Sequence, residues 1–127
     1  MKITSINSIS APLTLGGYSQ ALAVSDARRF LFVSGQIPES RAGELPGDFK
    51  SQAALAWANV FAQLAAADMT AANLVKVTIY LASREYALQN REARQAALGS
   101  HAPALTVVIA GIFDARWLLE IEAIAAA

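Results

Sequence analysis

The feature that most constrains this chain is the alternation in the stretch Leu74 to Leu81. Val75, Val77, Ile79 and Leu81 share one face, and Lys76, Thr78 and Tyr80 the other, because successive side chains of a strand point to opposite sides. The same period of two runs through the last strand, where Glu120 and Glu122 alternate with Leu119, Ile121 and Ala123. A sheet containing such strands has one apolar face that must be covered and one mixed face carrying two carboxylates.

Two helices can supply the cover. Asp48, with Gln52 behind it, is a suitable N-cap, and the helix it opens runs to about Asp68. Ala53, Trp57, Val60, Leu64 and Ala67 recur at three- and four-residue steps and form its core stripe. Arg84 to Leu98 is a second helix, closed by Gly99. Further strands are expected at Ala21–Val24, Arg29–Ser34, Thr106–Ala110 and Trp117–Ala125. Gln36 to Gly47, with Pro38, Gly43, Pro46 and Gly47, is a loop. The order β, β, α, β, α, β, β implies an α+β two-layer sandwich, with both helices on one face of a mixed sheet. The other face is then exposed or covered by another subunit.

Composition narrows the function classes. A chain of 127 residues is one domain, spanning 1–127. Ten basic and ten acidic residues cancel, so there is no long-range field to draw the chain onto nucleic acid or an anionic membrane. Cysteine is absent and His101 is the single histidine, which argues against a metal centre within one subunit. The N-terminus lacks the apolar core of a signal peptide. The longest apolar run, Leu105 to Phe113, contains Thr106 and falls far short of the roughly 20 residues that span a bilayer. A cytoplasmic protein is expected. Hydrophobic residues make up 55% of the chain and charged residues 16%, which points to an oligomer with a buried interface. The many alanines, tolerated outside, offer a blander account.

Three segments carry a resemblance. They are Gly17-Tyr18-Ser19-Gln20-Ala21, Phe32-Val33-Ser34-Gly35-Gln36-Ile37-Pro38 and Leu119-Glu120-Ile121-Glu122-Ala123-Ile124-Ala125. In this order and spacing they resemble the RidA (YjgF, or L-PSP endoribonuclease) family, over nearly the whole chain from Ala11 to Ala126. The resemblance implies a homotrimer of chorismate-mutase-like subunits whose three sheets form an inner barrel. It implies small-molecule pockets at the subunit interfaces, hydrolysis of reactive enamines and imines, and no metal or organic cofactor. In deaminating members the segment after the second helix reads Pro-Ala-Arg-Ser/Thr, and the arginine holds the substrate carboxylate. This chain reads Pro103-Ala104-Leu105-Thr106.

Each candidate site residue has two readings. Glu120 and Glu122 share one side of their strand, and acids on an otherwise apolar strand need partners or a purpose. Glu120 matches the family glutamate placed by the substrate and would exchange protons; the alternative is a buried ion pair, with Lys76 the natural partner for Glu122. Tyr18, after Gly16-Gly17, would cap a pocket as its family counterpart does, or simply pack the loop. Ser34 and Gly35 would let backbone amides approach a carbonyl or oxyanion, or form a bulge. Asn90 matches the family asparagine that holds a substrate group, and is otherwise a solvated residue among Gln89, Arg91 and Glu92.

Leu105 and Val107, which share a face with Ile109, stand where deaminating members carry Arg and often Cys. That wall is then aliphatic. Losing a bidentate arginine typically costs a few kcal/mol, or about 10²-fold in affinity. Arg116 and Arg28 are the free candidates to replace the charge.

The resulting expectation is a RidA-like trimer with altered or lost 2-aminoacrylate deaminase activity. Two other classes stay open. One is a non-catalytic binder or sensor of an apolar or neutral metabolite. The other is a protein-interaction or chaperone-like trimer, since Leu55, Ala58, Phe61, Ala62 and Ala65 lie outside the first helix's core stripe and Phe61 looks exposed. RNA cleavage ranks low: the chain is neutral, has one histidine and shows no basic stripe interleaved with aromatics.

Overall fold

Strand β6 (Leu119–Ala126) organises the molecule. It pairs antiparallel with β3 (Phe30–Gln36) on one side and with β4 (Leu74–Leu81) on the other. β5 (Ala104–Ile109) joins β4 in parallel, giving a mixed four-stranded sheet of order β3-β6-β4-β5. β1 (Lys2–Ile6) and β2 (Ala21–Ser25) form a separate antiparallel pair. The two helices, α1 (Phe49–Ala66) and α2 (Ala87–Leu98), both pack on one side of the larger sheet. This computed structural model describes residues 1–127. The expected two-layer α+β arrangement is the one found.

Burial follows the period of two. Leu119, Ile121, Ala123 and Ala125 of β6 and Val77, Ile79 and Leu81 of β4 are buried. From above, α1 contributes Ala53, Ala56, Trp57, Val60 and Leu64 to the same cluster. Ala53 and Ala56 are fully buried; side chains this small let the helix lie close to the sheet. Ala67 is only half-buried, because α1 has already ended at Ala66. Asp48 caps the helix, its Oδ2 accepting from the Ser51 amide at 2.9 Å, and that bond holds its pKa below the ordinary value. Phe61 is not exposed as expected. It is half-buried against the core, its ring 5.9 Å from that of Trp57.

Several boundaries differ from the sequence reading. β1 was not expected: four of its five residues are exposed, so no burial periodicity marks it. Arg84–Tyr86 is a 3-10 turn ahead of α2, with Tyr86 stacked on Phe49 at 4.8 Å between ring centroids. β6 begins at Leu119 and not Trp117, whose amide instead closes a turn onto the Asp114 carbonyl at 3.0 Å. A register shift between Leu74 and Lys76 puts Leu74 in the core and leaves Val75 half-exposed.

One buried polar residue ties the layers together. Gln52, 2% exposed, donates through Nε2 to the Pro46 and Arg116 carbonyls at 2.9 and 3.1 Å and accepts from the Leu118 amide at 2.8 Å. It fastens the start of α1 to the chain entering β6. The opposite sheet face is bare. Phe30 and Phe32 stand on it, 57% and 73% exposed, beside Ile124 across the β3–β6 ladder. No helix is long and apolar enough to cross a membrane.

Replacing Gln52 by Ala leaves three backbone groups unpaired in a buried place. The Gln52→Ala variant is expected to lose about 3 kcal/mol of stability, measured by urea unfolding followed through tryptophan fluorescence.

Candidate functional site

The carboxylates of β6 emerge on the bare face of the sheet. There the β3–β6 register jumps from Val33–Ala123 to Gln36–Ile121, so Ser34 and Gly35 together oppose Glu122. This is a bulge, a device that re-aims side chains next to functional sites. Gly35 has a definite reason to be glycine: a Cβ there would collide with the Glu120 carboxylate, its Cδ only 2.7 Å away. Glu120 and Gly35 are thus in direct contact.

Across the β4–β6 ladder Tyr80 lies opposite Glu120 and Thr78 opposite Glu122. The Tyr80 hydroxyl donates to Glu122 Oε1 at 2.7 Å. That bond, followed by burial and the charges of Glu122 and Glu120, pushes the phenol above its ordinary pKa. The expected Lys76–Glu122 pair does not form. Lys76 reaches the other way, to β5, and donates to Thr106 Oγ1 at 2.6 Å. Tyr80 is therefore the partner of Glu122, and the close neighbour of Glu120 is Gly35.

A second group of residues gathers on the helix-covered side. Ser19 is buried, its Oγ donating to the Ala102 carbonyl at 2.6 Å and its amide to the Pro103 carbonyl at 3.0 Å. These bonds fix Tyr18 beside the start of β5. The loop reaches this position through Gly16 and Gly17, at φ +97° and +77°, a region that favours glycine. Leu105, Val107 and Ile109 pair with Val77, Ile79 and Leu81, so they share the helix-covered face and not the bare one. From α2 come Asn90, Arg94 and Leu98, its buried stripe at four-residue steps. Tyr18, Asn90, Arg94, Leu105, Val107 and Ile109 line one cavity of about 380 Å³, together with Leu15, Gln20, Leu81, Arg84, Ala87 and Arg91.

Within one chain, then, Tyr18, Asn90, Leu105 and Val107 come together, while Ser34, Gly35 and Glu120 lie on the other face of the sheet. Asn90 is not a solvated helix residue: it is 5% exposed, and its Oδ1 has no partner. Neither proposed substitute for the missing arginine reaches the cavity. Arg116 is bound to Asp114 at 2.8 Å, and its hydrogen bonds hold the Asp114 carboxyl at about 2. The exposed Arg28 sits at a strand end, its amide bonded to the Ala127 carbonyl at 2.7 Å.

The residue that does arrive is Arg94, which the sequence reading missed. It is 5% exposed, its Nε is unpartnered, and its Cζ lies 5.7 Å from the Tyr18 ring centroid. The spacing Asn90–Arg94–Leu98 on one helical stripe was the available signal. The strand wall is aliphatic as expected, but the helix wall is cationic. A larger cavity, about 460 Å³, lies between α1 and α2 and is lined by five alanines with Trp57, Phe61, Lys50, Gln89 and Glu92. It holds none of the expected site residues, and convergent buried polar groups mark the smaller one as the better ligand site. His101, the single histidine, is engaged with the Leu74 carbonyl at 2.7 Å.

Comparison with known proteins agrees with this architecture. Residues 8–127 match the family described as Endoribonuclease L-PSP. The chain is 36% identical over 118 residues to the RutC family protein PH0854 of Pyrococcus horikoshii, covering 91% of each. It superposes on Escherichia coli TdcF with bound serine at a TM-score of 0.73, with 30% identity and 98% of each chain covered. The Rid-family protein YyfB of Yersinia pestis shares the fold at a TM-score of 0.86, with 24% identity and complete coverage of both chains. The chain belongs to the endoribonuclease L-PSP family, that is, the RidA (YjgF) family.

The Tyr80–Glu122 bond has a measurable consequence. A raised phenol pKa means that the bond's contribution to stability is present below pH 10 and fades as pH rises through the raised value. In Glu122→Ala the Tyr80 ionisation should fall back toward 10.0. Phenolate absorbance titration, read as the difference from Tyr80→Phe, measures it; an unmoved titration refutes the assignment.

Proposed function

We propose that residues 1–127 act as one RidA-type domain, assembled as a homotrimer whose pockets between copies hydrolyse small, reactive C=N compounds. One observation carries this reading. The residues matching the family site are divided between two faces of the sheet, so only a second copy can set Glu120 and the Ser34–Gly35 bulge against Tyr18, Asn90, Leu105 and Val107. The bare face, with Phe30, Phe32 and Ile124, supports burial against such a copy. TdcF of Escherichia coli, described as a candidate reactive intermediate deaminase, is 36% identical over 72 residues, 56% of this chain. The serine bound in its crystal structure supports a ligand of amino-acid size.

Glu120 is the proton-transfer group of the proposal. Its carboxylate takes a proton from a water attacking the imine carbon, forming the C–O bond as the C=N electrons move to nitrogen. The proton is then returned to nitrogen, and the carbinolamine collapses to a carbonyl compound and ammonia. Backbone groups at Ser34–Gly35 orient the reacting centre. Leu105 leaves the β5 wall aliphatic, so 2-aminoacrylate, which has no apolar substituent to lie against that wall, is a poor substrate.

The test is a 2-aminoacrylate deamination assay on the wild type, Leu105→Arg and Glu120→Gln. Wild-type turnover should be slow, Leu105→Arg should raise kcat/KM by about 10²-fold, and Glu120→Gln should remove what activity there is. Wild-type turnover equal to that of a deaminating RidA protein would refute the role given to Leu105.

A further inference from the structure

Arg94 is an unusual residue for the interior of a small protein. Buried guanidinium groups are ordinarily paired with a carboxylate. Arg94 is 5% exposed, yet the one ion pair in the chain is Arg116–Asp114. Its Nε is buried without an acceptor. None of the residues lining the cavity is acidic, and two more arginines, Arg84 and Arg91, stand on the same wall. Burial, followed by the charge of Arg91, depresses the Arg94 pKa: the site is short of negative charge.

The guanidinium is also held in place. The Tyr18 ring covers it, with Cζ 5.7 Å from the centroid. On another side lies Gly17, where a Cβ would stand at ordinary contact distance, 3.5 Å, from Nη2. A planar fork fixed in this way matches a carboxylate through two parallel hydrogen bonds. One helical turn away, the unpartnered Oδ1 of Asn90 can only accept, and so calls for a ligand N–H or O–H. Facing both is the aliphatic wall of Leu105, Val107 and Ile109.

We infer that Arg94 is the anion-binding residue of this pocket, holding from α2 the carboxylate of a small acid whose apolar substituent lies against Leu105, Val107 and Ile109. The acid carries a donor, such as an amino, imino or hydroxyl group, next to its carboxylate, and that donor meets Asn90. This inference deepens the function proposed above and rests on its placing the ligand in this cavity. It narrows the substrates to acids with an apolar side chain, and it accounts for poor handling of 2-aminoacrylate without making the pocket indifferent to charge.

The experiment is calorimetric titration of the assembled full-length protein with 2-hydroxy-4-methylpentanoate, its methyl ester and acetate. The acid should bind, with the uncharged ester and the truncated acetate each at least about 10-fold weaker. Arg94→Gln should weaken the acid by about 10²-fold while leaving the ester unchanged. Arg94→Lys, which keeps the charge and loses the fork, should fall between and serves where the glutamine variant fails to fold. Equal binding of acid and ester, no binding of the acid, or an Arg94→Gln variant that binds the acid normally would overturn the inference. Normal binding combined with a changed elution volume would instead make Arg94 a structural cation between copies. If Arg94 governs acid binding but Glu120→Gln hydrolyses imines as well as the wild type, the catalytic proposal fails and this one stands.

Discussion

The structure depends on β6 being paired on both sides while every second side chain is buried. Leu119, Ile121, Ala123 and Ala125 lie under α1, with β3 and β4 hydrogen-bonded on either flank. A slip of one residue would bring Glu120 and Glu122 into the core and turn the aliphatic residues outward, so the register is strongly fixed. The position of the two carboxylates is therefore a by-product of the core. The bulge at Ser34–Gly35 then works on a rigid reference, and it brings backbone without a side chain against Glu120. Tyr80 completes the arrangement by engaging Glu122 and not Glu120, so two acids of the same strand have unlike surroundings.

Most of this frame was legible because periodicity reports faces. The alternation in β4 and β6 identified which residues face the helices, and the α1 stripe and Asp48 cap followed from helical spacing and capping chemistry. Val75 is an instructive exception. It fits the alternation, but the register shift beside it gives its core place to Leu74. β1 was illegible for the opposite reason. It lies outside the main sheet, shows solvent almost all its side chains, and so leaves no apolar period to read.

Partners were harder to read than faces. Lys76 and Glu122 were correctly put on the same side, but a lysine on a central strand can turn to either neighbour. The sequence contains nothing to favour β6 over β5. Asn90 was left with two readings and Arg94 was overlooked, because composition misleads here. A helix segment rich in Gln, Arg and Glu looks solvated, and its overall polarity hides the fact that two polar residues occupy the buried stripe with Leu98. When burial contradicts residue type in this way, and the buried atoms lack partners, the contradiction itself marks a candidate ligand cavity.

The pocket can be understood as one charge requirement met from two different walls. A side chain on β5 stands roughly perpendicular to the sheet, whereas one on α2 leans toward the N-terminus of its helix. An arginine at position 105 would rise from the sheet floor, where this chain has leucine. Arg94 enters from the helix side and leans along the turn that holds Asn90. Exchanging one for the other keeps a cation in the cavity but reverses its polarity, leaving the sheet side apolar and the helix side charged. A ligand gripped by its carboxylate from α2 must direct the rest of its body toward β5. In the proposed assembly the same acid would present its reacting carbon at a different height relative to the Glu120 of a neighbouring copy. Under the proposed function, residue 105 would then influence both how tightly an acid is held and which acid has its reacting carbon within reach of Glu120.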